Sequence, residues 1–224
     1  MNLLSSTSVF GFYTLISRVL GYLRDILIAI FLGTTIYADA FFVAFRLPNT
    51  FRRLFAEGTF NAAFIPSYAK ANLKNKKEGK IFADEVFNLL LYILIFIIII
   101  VEIFTPVVVY LIAPGFFADT EKLNLAVEFT RITFPFLLFV SLSSMLAGIL
   151  NTNNKFAAAA AAPIALNIVL IFSLLLAFNL ELNIAKSLSV GVTLSGIFQS
   201  VSYTHLRAHE TPEHLVCRRL REKK

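Results

Sequence analysis

An uninterrupted apolar run near the middle of the chain restricts the fold more than any other feature of the sequence. Residues 89–104 read LLLYILIFIIIIVEIF, and no polar residue interrupts the run between Tyr92 and Glu102. A helix needs about 20 mostly apolar residues to cross the hydrocarbon core of a bilayer. Hydrophobic residues make up 58% of the 224-residue chain and the mean hydropathy is +0.77, which is more apolar surface than a soluble domain can bury. The sequence therefore predicts an all-α, polytopic membrane helical bundle.

Similar apolar runs recur along the whole chain. The predicted transmembrane helices, about six in number, lie at Val9–Leu32, Asp39–Phe64, Val86–Ile103, Val127–Leu150, Phe156–Leu180 and Ile184–Val201. Gly33 is predicted to cap the first helix, and Pro66 is predicted to close the second. The N-terminus has no basic segment and no small-residue cleavage site follows it, so we expect the first helix to remain in place.

Positive charge concentrates in the connection between the second and third predicted helices. This connection contains five lysines and one glutamate, at Lys70, Lys74, Lys76, Lys77, Lys80 and Glu78. The next connection is mixed, with Asp119, Glu121 and Lys122. Because positive loops of membrane proteins face the cytoplasm, the sequence predicts a multi-pass protein with a cytoplasmic N-terminus. We attribute the net charge of +6 to this bias, and expect membrane lipids rather than nucleic acid as partners.

The composition changes after Ser202, where the remaining residues are mostly polar and include all three histidines of the chain. The spacing of His205, His209, His214 and Cys217 fits no standard zinc motif, so no metal site is predicted. We interpret residues 1–202 as a transmembrane lobe and residues 203–224 as a polar tail, non-native or disordered. A basic cytoplasmic tail is the alternative interpretation.

Charged residues inside the first two predicted helices indicate a polar cavity. At about 100° per residue, the small and polar residues of the first helix share an arc of roughly 120°. They are Thr7, Thr14, Ser17, Arg18, Gly21, Arg24 and Asp25. A second stripe, within roughly 80°, follows the second helix. Its members are Asp39, Arg46, Thr50, Arg53, Glu57 and Asn61, whereas Arg52 projects elsewhere and Pro48 is expected to kink the helix.

The balance of these charges indicates what the cavity binds. Five arginines face three acids in the two helices, at Arg18, Arg24, Arg46, Arg52 and Arg53 against Asp25, Asp39 and Glu57. One interpretation is internal pairing, of Arg24 or Arg18 with Asp25 or Asp39 and of Arg53 with Glu57. The surplus of positive charge favours an anion instead, such as a phosphate or pyrophosphate on a lipid. No catalytic constellation, metal cluster or nucleotide-binding loop accompanies the stripe, so we expect neither an enzyme nor a cofactor.

Several blocks of sequence resemble the MurJ/MviN family of bacterial lipid II flippases. They are SRVLGYLRD, DAFFVAFRLPNTFRRLFAEGTFNAAFIP, APGFFADT, RITFPFLLFVSLSSMLAGILNTNNKF and the later Pro163 and Asn167. The resemblance implies one lobe of a two-lobe transporter of the multidrug/oligosaccharidyl-lipid/polysaccharide exporter superfamily, which works by alternating access in the bacterial inner membrane. The second lobe would be a missing partner of this chain. The positions that match the family's cavity are Arg18, Arg24, Asp25, Asp39, Asn49, Arg52, Arg53 and Glu57.

The resemblance also implies a mechanism. Lipid II would enter from the cytoplasmic leaflet with its pyrophosphate at Arg24 and Arg18, while Asp25 and Asp39 orient these arginines. Rocking of the lobes would then open the cavity outward, and Gly21, Gly33 and Pro48 are hinge candidates. The alternatives are a flippase for another undecaprenyl-pyrophosphate-linked oligosaccharide and a non-transporting membrane scaffold.

Overall fold

A computed structural model describes residues 3–53, 59–152 and 156–208, with side chains at 11–53, 60–152 and 163–203. Within these ranges the chain forms α-helices, one short 3-10 helix at Pro114–Ala118 and no strand. The α-helices are α1 Leu3–Leu32, α2 Ile36–Arg52, α3 Thr59–Lys74, α4 Lys76–Ile103, α5 Thr105–Ile112, α6 Thr120–Thr133, α7 Phe136–Thr152, α8 Phe156–Asn179 and α9 Ile184–Ala208. The predicted all-α fold is confirmed.

The helices follow the predicted apolar segments closely. The first, third, fifth and sixth segments correspond to α1, α4, α8 and α9, and the fourth corresponds to the end of α6 together with α7. In the described part of the chain, Lys76–Ile103, Thr120–Thr152 and Ile184–Tyr203 are long and apolar enough to cross a membrane. Helix α4 is the least buried of these three and exposes Phe96, Ile99 and Ile100, as a lipid-facing helix does. The molecule is a membrane helical bundle.

The connection between α1 and α2 forms as the sequence predicts. Gly33 has a φ of +58°, a left-handed conformation that favours glycine, and its N–H donates to the carbonyl of Ala29 at 3.1 Å. Thr35 then begins α2, because its hydroxyl accepts a hydrogen bond from the N–H of Ala38 at 3.3 Å. These two caps end α1 and begin α2 within three residues.

Two predictions about the second segment are wrong. The segment consists of α2 and α3, and Pro66 lies inside α3 instead of closing it. Proline removes only one helical hydrogen bond, and helices of membrane proteins tolerate this loss. The predicted lysine loop is also helical except at Asn75, whose side chain accepts a hydrogen bond from the N–H of Lys77 at 2.9 Å and so begins α4. The lysines lie exposed on the ends of α3 and α4.

Helix α7 lies at the centre of the bundle. Its buried Phe136 and Val140 pack in a cluster with residues of α1, α2, α6, α8 and α9. Its buried Leu137 and Met145 pack in a second cluster with α3 and α4. Helix α9 approaches α7 closely at Gly196, where a Cβ atom would lie 2.8 Å from the ring of Phe136. This packing holds α7 and α9 as two walls of a cavity.

Helix α9 continues to Ala208 without a break at Ser202. Two of the three histidines, His209 and His214, lie outside the described residues, and so does Cys217. The division into a lobe at 1–202 and a tail at 203–224 therefore stays a prediction.

Candidate anion-binding cavity

A cavity of about 550 Å³ opens between α1, α2, α3, α7, α8 and α9. Among the described residues that line it, Arg24 and Arg52 carry the only formal charges, and no carboxylate is present. The neutral polar lining residues are Asn49, Asn61, Ser144, Asn151, Asn167, Gln199 and Tyr203. The cavity is therefore positively charged at two points and otherwise offers neutral hydrogen-bonding groups and apolar surface.

Arg24 is held in a fixed orientation by two neighbours. Its Nε and Nη2 atoms donate to Oδ1 of Asp25 at 3.0 and 2.8 Å, and its Nη1 atom donates to Oδ1 of Asn167 at 2.8 Å. The side chain of Arg24 is 18% exposed, whereas that of Asp25 is 65% exposed. The carboxylate thus compensates the guanidinium from outside the cavity, while Arg24 itself lines the cavity. A planar guanidinium held in this way suits the binding of phosphate oxygens.

Asn167 connects α8 to α1 beside Arg24. It is only 4% exposed, and its Nδ2 atom donates to the carbonyl of Ser17 at 3.0 Å. Gly21 lies beside this contact, and a Cβ atom there would be in ordinary van der Waals contact with the amide of Asn167 at 3.5 Å. In the sequence, Asn167 stands out only as part of the resemblance, which implies no role for it. The available signal was an amide in an otherwise apolar helix, a kind of residue that usually bonds across helices in membranes.

Arg52 lines the cavity from α2. The resemblance placed this residue in the family's cavity, whereas the helical wheel placed it off the shared stripe. Its Nε atom donates to Oδ1 of Asn49 at 3.1 Å, and Phe45, Asn49 and Arg52 line the cavity from one face of α2. Arg46 and Arg53, which the wheel placed on the shared stripe, are exposed and do not line the cavity. The wheel assumed one straight helix from Asp39 to Asn61, but α2 ends at Arg52, soon after the buried Pro48.

The other predicted site residues lie elsewhere. Asp39 accepts a hydrogen bond from Nζ of Lys122 on α6 at 2.9 Å and does not bond Arg18 or Arg24, because α2 packs on α6 at this end. Arg18 is exposed on α1 and does not line the cavity. Glu57 lies outside the described residues, so its predicted pairing with Arg53 stays a prediction. The described residues contain no group of His, Cys, Asp and Glu that could hold a metal ion.

The fold and the cavity together define a class of protein, a polytopic helical membrane protein with a cationic cavity between its helices. A sequence model of the family described as "Lipid II flippase MurJ" matches residues 28–214. The chain therefore belongs to the MurJ family, as the resemblance of its sequence blocks predicted.

Individual relatives agree with this assignment. The chain is 45% identical over 202 residues to the probable lipid II flippase MurJ of Rickettsia prowazekii, which covers 90% of this chain and 39% of that protein. It is 44% identical to the corresponding protein of Rhizobium tropici, over 92% of this chain and 40% of the relative. A solved structure, "Lipid II flippase MurJ, inward closed conformation", matches with a TM-score of 0.76 and 30% identity, over 88% of this chain and 41% of that chain. The chain spans about two fifths of the length of these relatives.

Proposed function

We propose that this chain forms the first lobe of a bacterial lipid II flippase and that its cavity binds the pyrophosphate of the lipid. The observation that carries the proposal is a cavity between the helices of a MurJ family member whose only formal charges, among its described lining residues, are those of Arg24 and Arg52. Further chain of the same protein would supply the second lobe and the other side of the transport path. Movement of the two lobes would carry the headgroup across the membrane by alternating access.

The contacts of Arg24 support this function physically. A charged side chain inside a membrane costs about 2.5–3.5 kcal/mol on insertion scales, and a carboxylate beside it reduces this cost. Asp25 supplies that carboxylate, whose Oδ1 atom lies 2.8 Å from Nη2 of Arg24. Because Asp25 occupies one edge of the guanidinium and Asn167 occupies the other end, phosphate oxygens would bind to an arginine that is already oriented.

The remaining predicted residues have proposed roles outside the cavity of this lobe. Arg18 and Arg53 are exposed, so we assign them to the entry path of the headgroup or to contacts with the second lobe. We assign Asp39, paired with Lys122, to the same entry path or lobe contact. The predicted pair of Glu57 and Arg53 has the same proposed role. Gly21, Gly33 and Pro48 are the proposed points of bending, since each lies at a helix contact or helix end.

The exposed lysines at the ends of α3 and α4 support an orientation in the bacterial cytoplasmic membrane. With these lysines in the cytoplasm, the N-terminus of the chain is also cytoplasmic. An Asn75→Cys variant should then react with a membrane-impermeant maleimide only after the cells are opened. Reaction in intact cells would contradict this orientation.

Transport of lipid II by the full-length protein tests the proposal. In vesicles containing the protein and lipid II, Arg24→Ala and Arg52→Ala should each reduce the rate of flipping at least tenfold, because each removes a phosphate ligand. Arg46→Ala is the matched control, since Arg46 is an exposed arginine of the same helix as Arg52 and does not line the cavity. Equal rates in all variants, with equal amounts of folded protein, would contradict the proposal.

Two measurements separate the alternatives, one on the ligand and one on the Arg24→Ala variant. A flippase for another undecaprenyl-pyrophosphate-linked oligosaccharide would bind that glycan at least as tightly as lipid II, because the pyrophosphate is common to both. A membrane scaffold would need Arg24 for folding alone, so that Arg24→Ala protein would be poorly folded. The proposal predicts a folded Arg24→Ala protein that does not transport.

A further inference from the structure

The corner between α3 and α4 carries a concentrated positive charge, and we call residues 70–80 the basic corner. It contains five lysines and one glutamate, all of them exposed. The lysines are Lys70 and Lys74 at the end of α3 and Lys76, Lys77 and Lys80 at the start of α4. Glu78 is paired with Lys74, since its Oε2 atom lies 3.1 Å from the Nζ atom of the lysine. None of these lysines lines the cavity, so the cavity does not account for this charge.

Packing holds the basic corner in a fixed shape. Only Asn75 separates the two helices, and its side chain accepts a hydrogen bond from the N–H of Lys77 at 2.9 Å. The N–H of Asn75 donates to the carbonyl of Ala71 at 3.1 Å. Gly79 brings α4 close to α3, because a Cβ atom there would lie 2.9 Å from Cα of Asn72. The lysines therefore extend from an ordered backbone, which keeps their charges close together.

Helix length places the basic corner beside the membrane surface. At a rise of about 1.5 Å per residue, the apolar part of α4 from Val86 to Ile103 is about 27 Å long, which matches the hydrocarbon core of a bilayer. On the same scale, Lys80 lies about 9 Å and Lys76 about 15 Å beyond Val86. The headgroup layer is roughly 5–7 Å thick on each side. The lysines thus lie within about one Debye length, roughly 8–10 Å, of the headgroups.

The composition of the basic corner indicates which partner it binds. Clusters of about four to eight basic residues next to a membrane helix attract acidic phospholipids. Protein interfaces are depleted of lysine and enriched in arginine and aromatic residues, and the basic corner contains no arginine and no aromatic residue. Asp84 and Glu85 follow on α4 and offset part of the charge, but the lysines outnumber the acids. A layer of acidic headgroups therefore fits the corner better than an acidic protein surface does.

We infer that the basic corner is a docking surface for acidic phospholipid headgroups of the adjoining leaflet. The negatively charged headgroups bind the lysine ammonium groups, and Glu78 partly neutralises Lys74. Acidic lipids are therefore enriched around this end of α3 and α4 relative to zwitterionic lipids. The inference goes beyond the proposed function and does not require lipid II, so either one can fail without the other.

Fluorescence quenching tests this surface in nanodiscs that contain the full-length protein. A fluorophore is attached to Asn88→Cys, in protein whose other reactive cysteines are replaced. Asn88 is exposed on α4 just inside the apolar part, beside the upper acyl chains of lipids whose headgroups reach the corner. The quencher is phosphatidylglycerol or phosphatidylcholine, spin-labelled on the acyl chain and added at the same low fraction to phosphatidylcholine. We expect phosphatidylglycerol to quench at least about threefold more strongly at low salt, and this preference should disappear at about 1 M salt.

Substitutions at the corner separate the effect of charge from that of structure. Lys70→Gln/Lys77→Gln/Lys80→Gln should make quenching by the two lipids equal, because it removes three exposed charges. Lys70→Arg/Lys77→Arg/Lys80→Arg is the matched control, since it keeps the charge at the same positions and should keep the preference. Lys186→Gln controls for position, because Lys186 is an exposed lysine at the start of α9, outside the corner.

Each outcome has a definite meaning. Equal quenching by the two lipids in the wild type overturns the docking surface, and so does a preference that survives in the triple glutamine variant. If that variant does not fold, the wild type still decides, because a preference that persists at about 1 M salt is not electrostatic and overturns the inference. Binding of soluble polyglutamate to the corner without any lipid preference also overturns it, in favour of an acidic protein partner.

Discussion

At the scale of single residues, the cavity depends on how Arg24 is held. An arginine with free rotation loses side-chain entropy when it binds phosphate, whereas one already bonded loses less. Asn167 provides such a bond from a neighbouring helix and is itself fixed by the carbonyl of Ser17. We therefore interpret Asn167 as a positioning residue for Arg24.

Substitution of Asn167 tests this role. Asn167→Ala removes the acceptor of Arg24 Nη1 and should weaken binding of undecaprenyl pyrophosphate about tenfold in the full-length protein. Asn167→Asp keeps an acceptor for Arg24, but it loses the donor to the carbonyl of Ser17 and adds a carboxylate that competes with phosphate, so it should weaken binding further. Asn179→Asp is the control for the added charge, because Asn179 is exposed at the end of α8 and does not line the cavity. Wild-type affinity in Asn167→Ala, with the protein folded, would contradict the positioning role.

The sequence predicted some of these residues and not others. Arg24 and Asp25 were predicted because charged residues in an apolar helix are conspicuous, and Arg24 lines the cavity. The contact between Arg24 and Asn167 was not predicted, because a helical wheel describes one helix and does not indicate which residue of another helix packs against it. The two residues are 143 positions apart in the chain.

At the scale of elements, α2 and α3 show where the helical periodicity of the sequence does not predict which side chains line the cavity. The apolar pattern predicted one helix at Asp39–Phe64, where the structure has α2 and α3, and the wheel over that single helix placed Arg46 and Arg53 on one stripe. Arg52 lines the cavity and Arg53 is exposed, one residue later. Since neighbouring residues of a helix differ by about 100° in direction, a small change at Pro48 or at the end of α2 is enough to reverse such an assignment.

The contact between α7 and α9 should be sensitive to the size of the side chain at position 196. A Cβ atom at Gly196 would lie 2.8 Å from the ring of Phe136 and 3.0 Å from Cβ of Phe139. Gly196→Ala should therefore lower the free energy of unfolding by about 1–3 kcal/mol through overpacking. Thermal unfolding of the full-length protein in detergent measures this effect.

Gly11→Ala is the matched control for this substitution. A Cβ atom at Gly11 meets no described atom within 4 Å, and Gly11 lies inside α1. The change should be neutral or stabilising by up to about 1 kcal/mol, because alanine favours a helix more than glycine does. If Gly196→Ala were as stable as Gly11→Ala, the close packing of α9 on α7 would be wrong.

At the scale of the whole molecule, the central feature is that the cavity is lined by positive charges, whereas the acidic residues of the same helices lie outside it. Arg24 and Arg52 line the cavity, Asp25 lies outside it, and Asp39 and Lys122 pair between α2 and α6. The apolar segments predicted this architecture, because hydrophobic length determines which segments cross a bilayer. The location of each charge depended on packing between helices that are distant in the sequence.

Equilibrium binding of undecaprenyl pyrophosphate to the full-length protein tests the cationic cavity most directly. Arg24→Gln preserves most of the side-chain volume and removes the charge, and Arg46→Gln makes the same change at an exposed arginine of α2 outside the cavity. We expect Arg24→Gln to weaken binding by at least tenfold and Arg46→Gln to leave it unchanged at the same salt concentration. Equal affinities for the two variants, with both proteins folded, would contradict a phosphate site at Arg24.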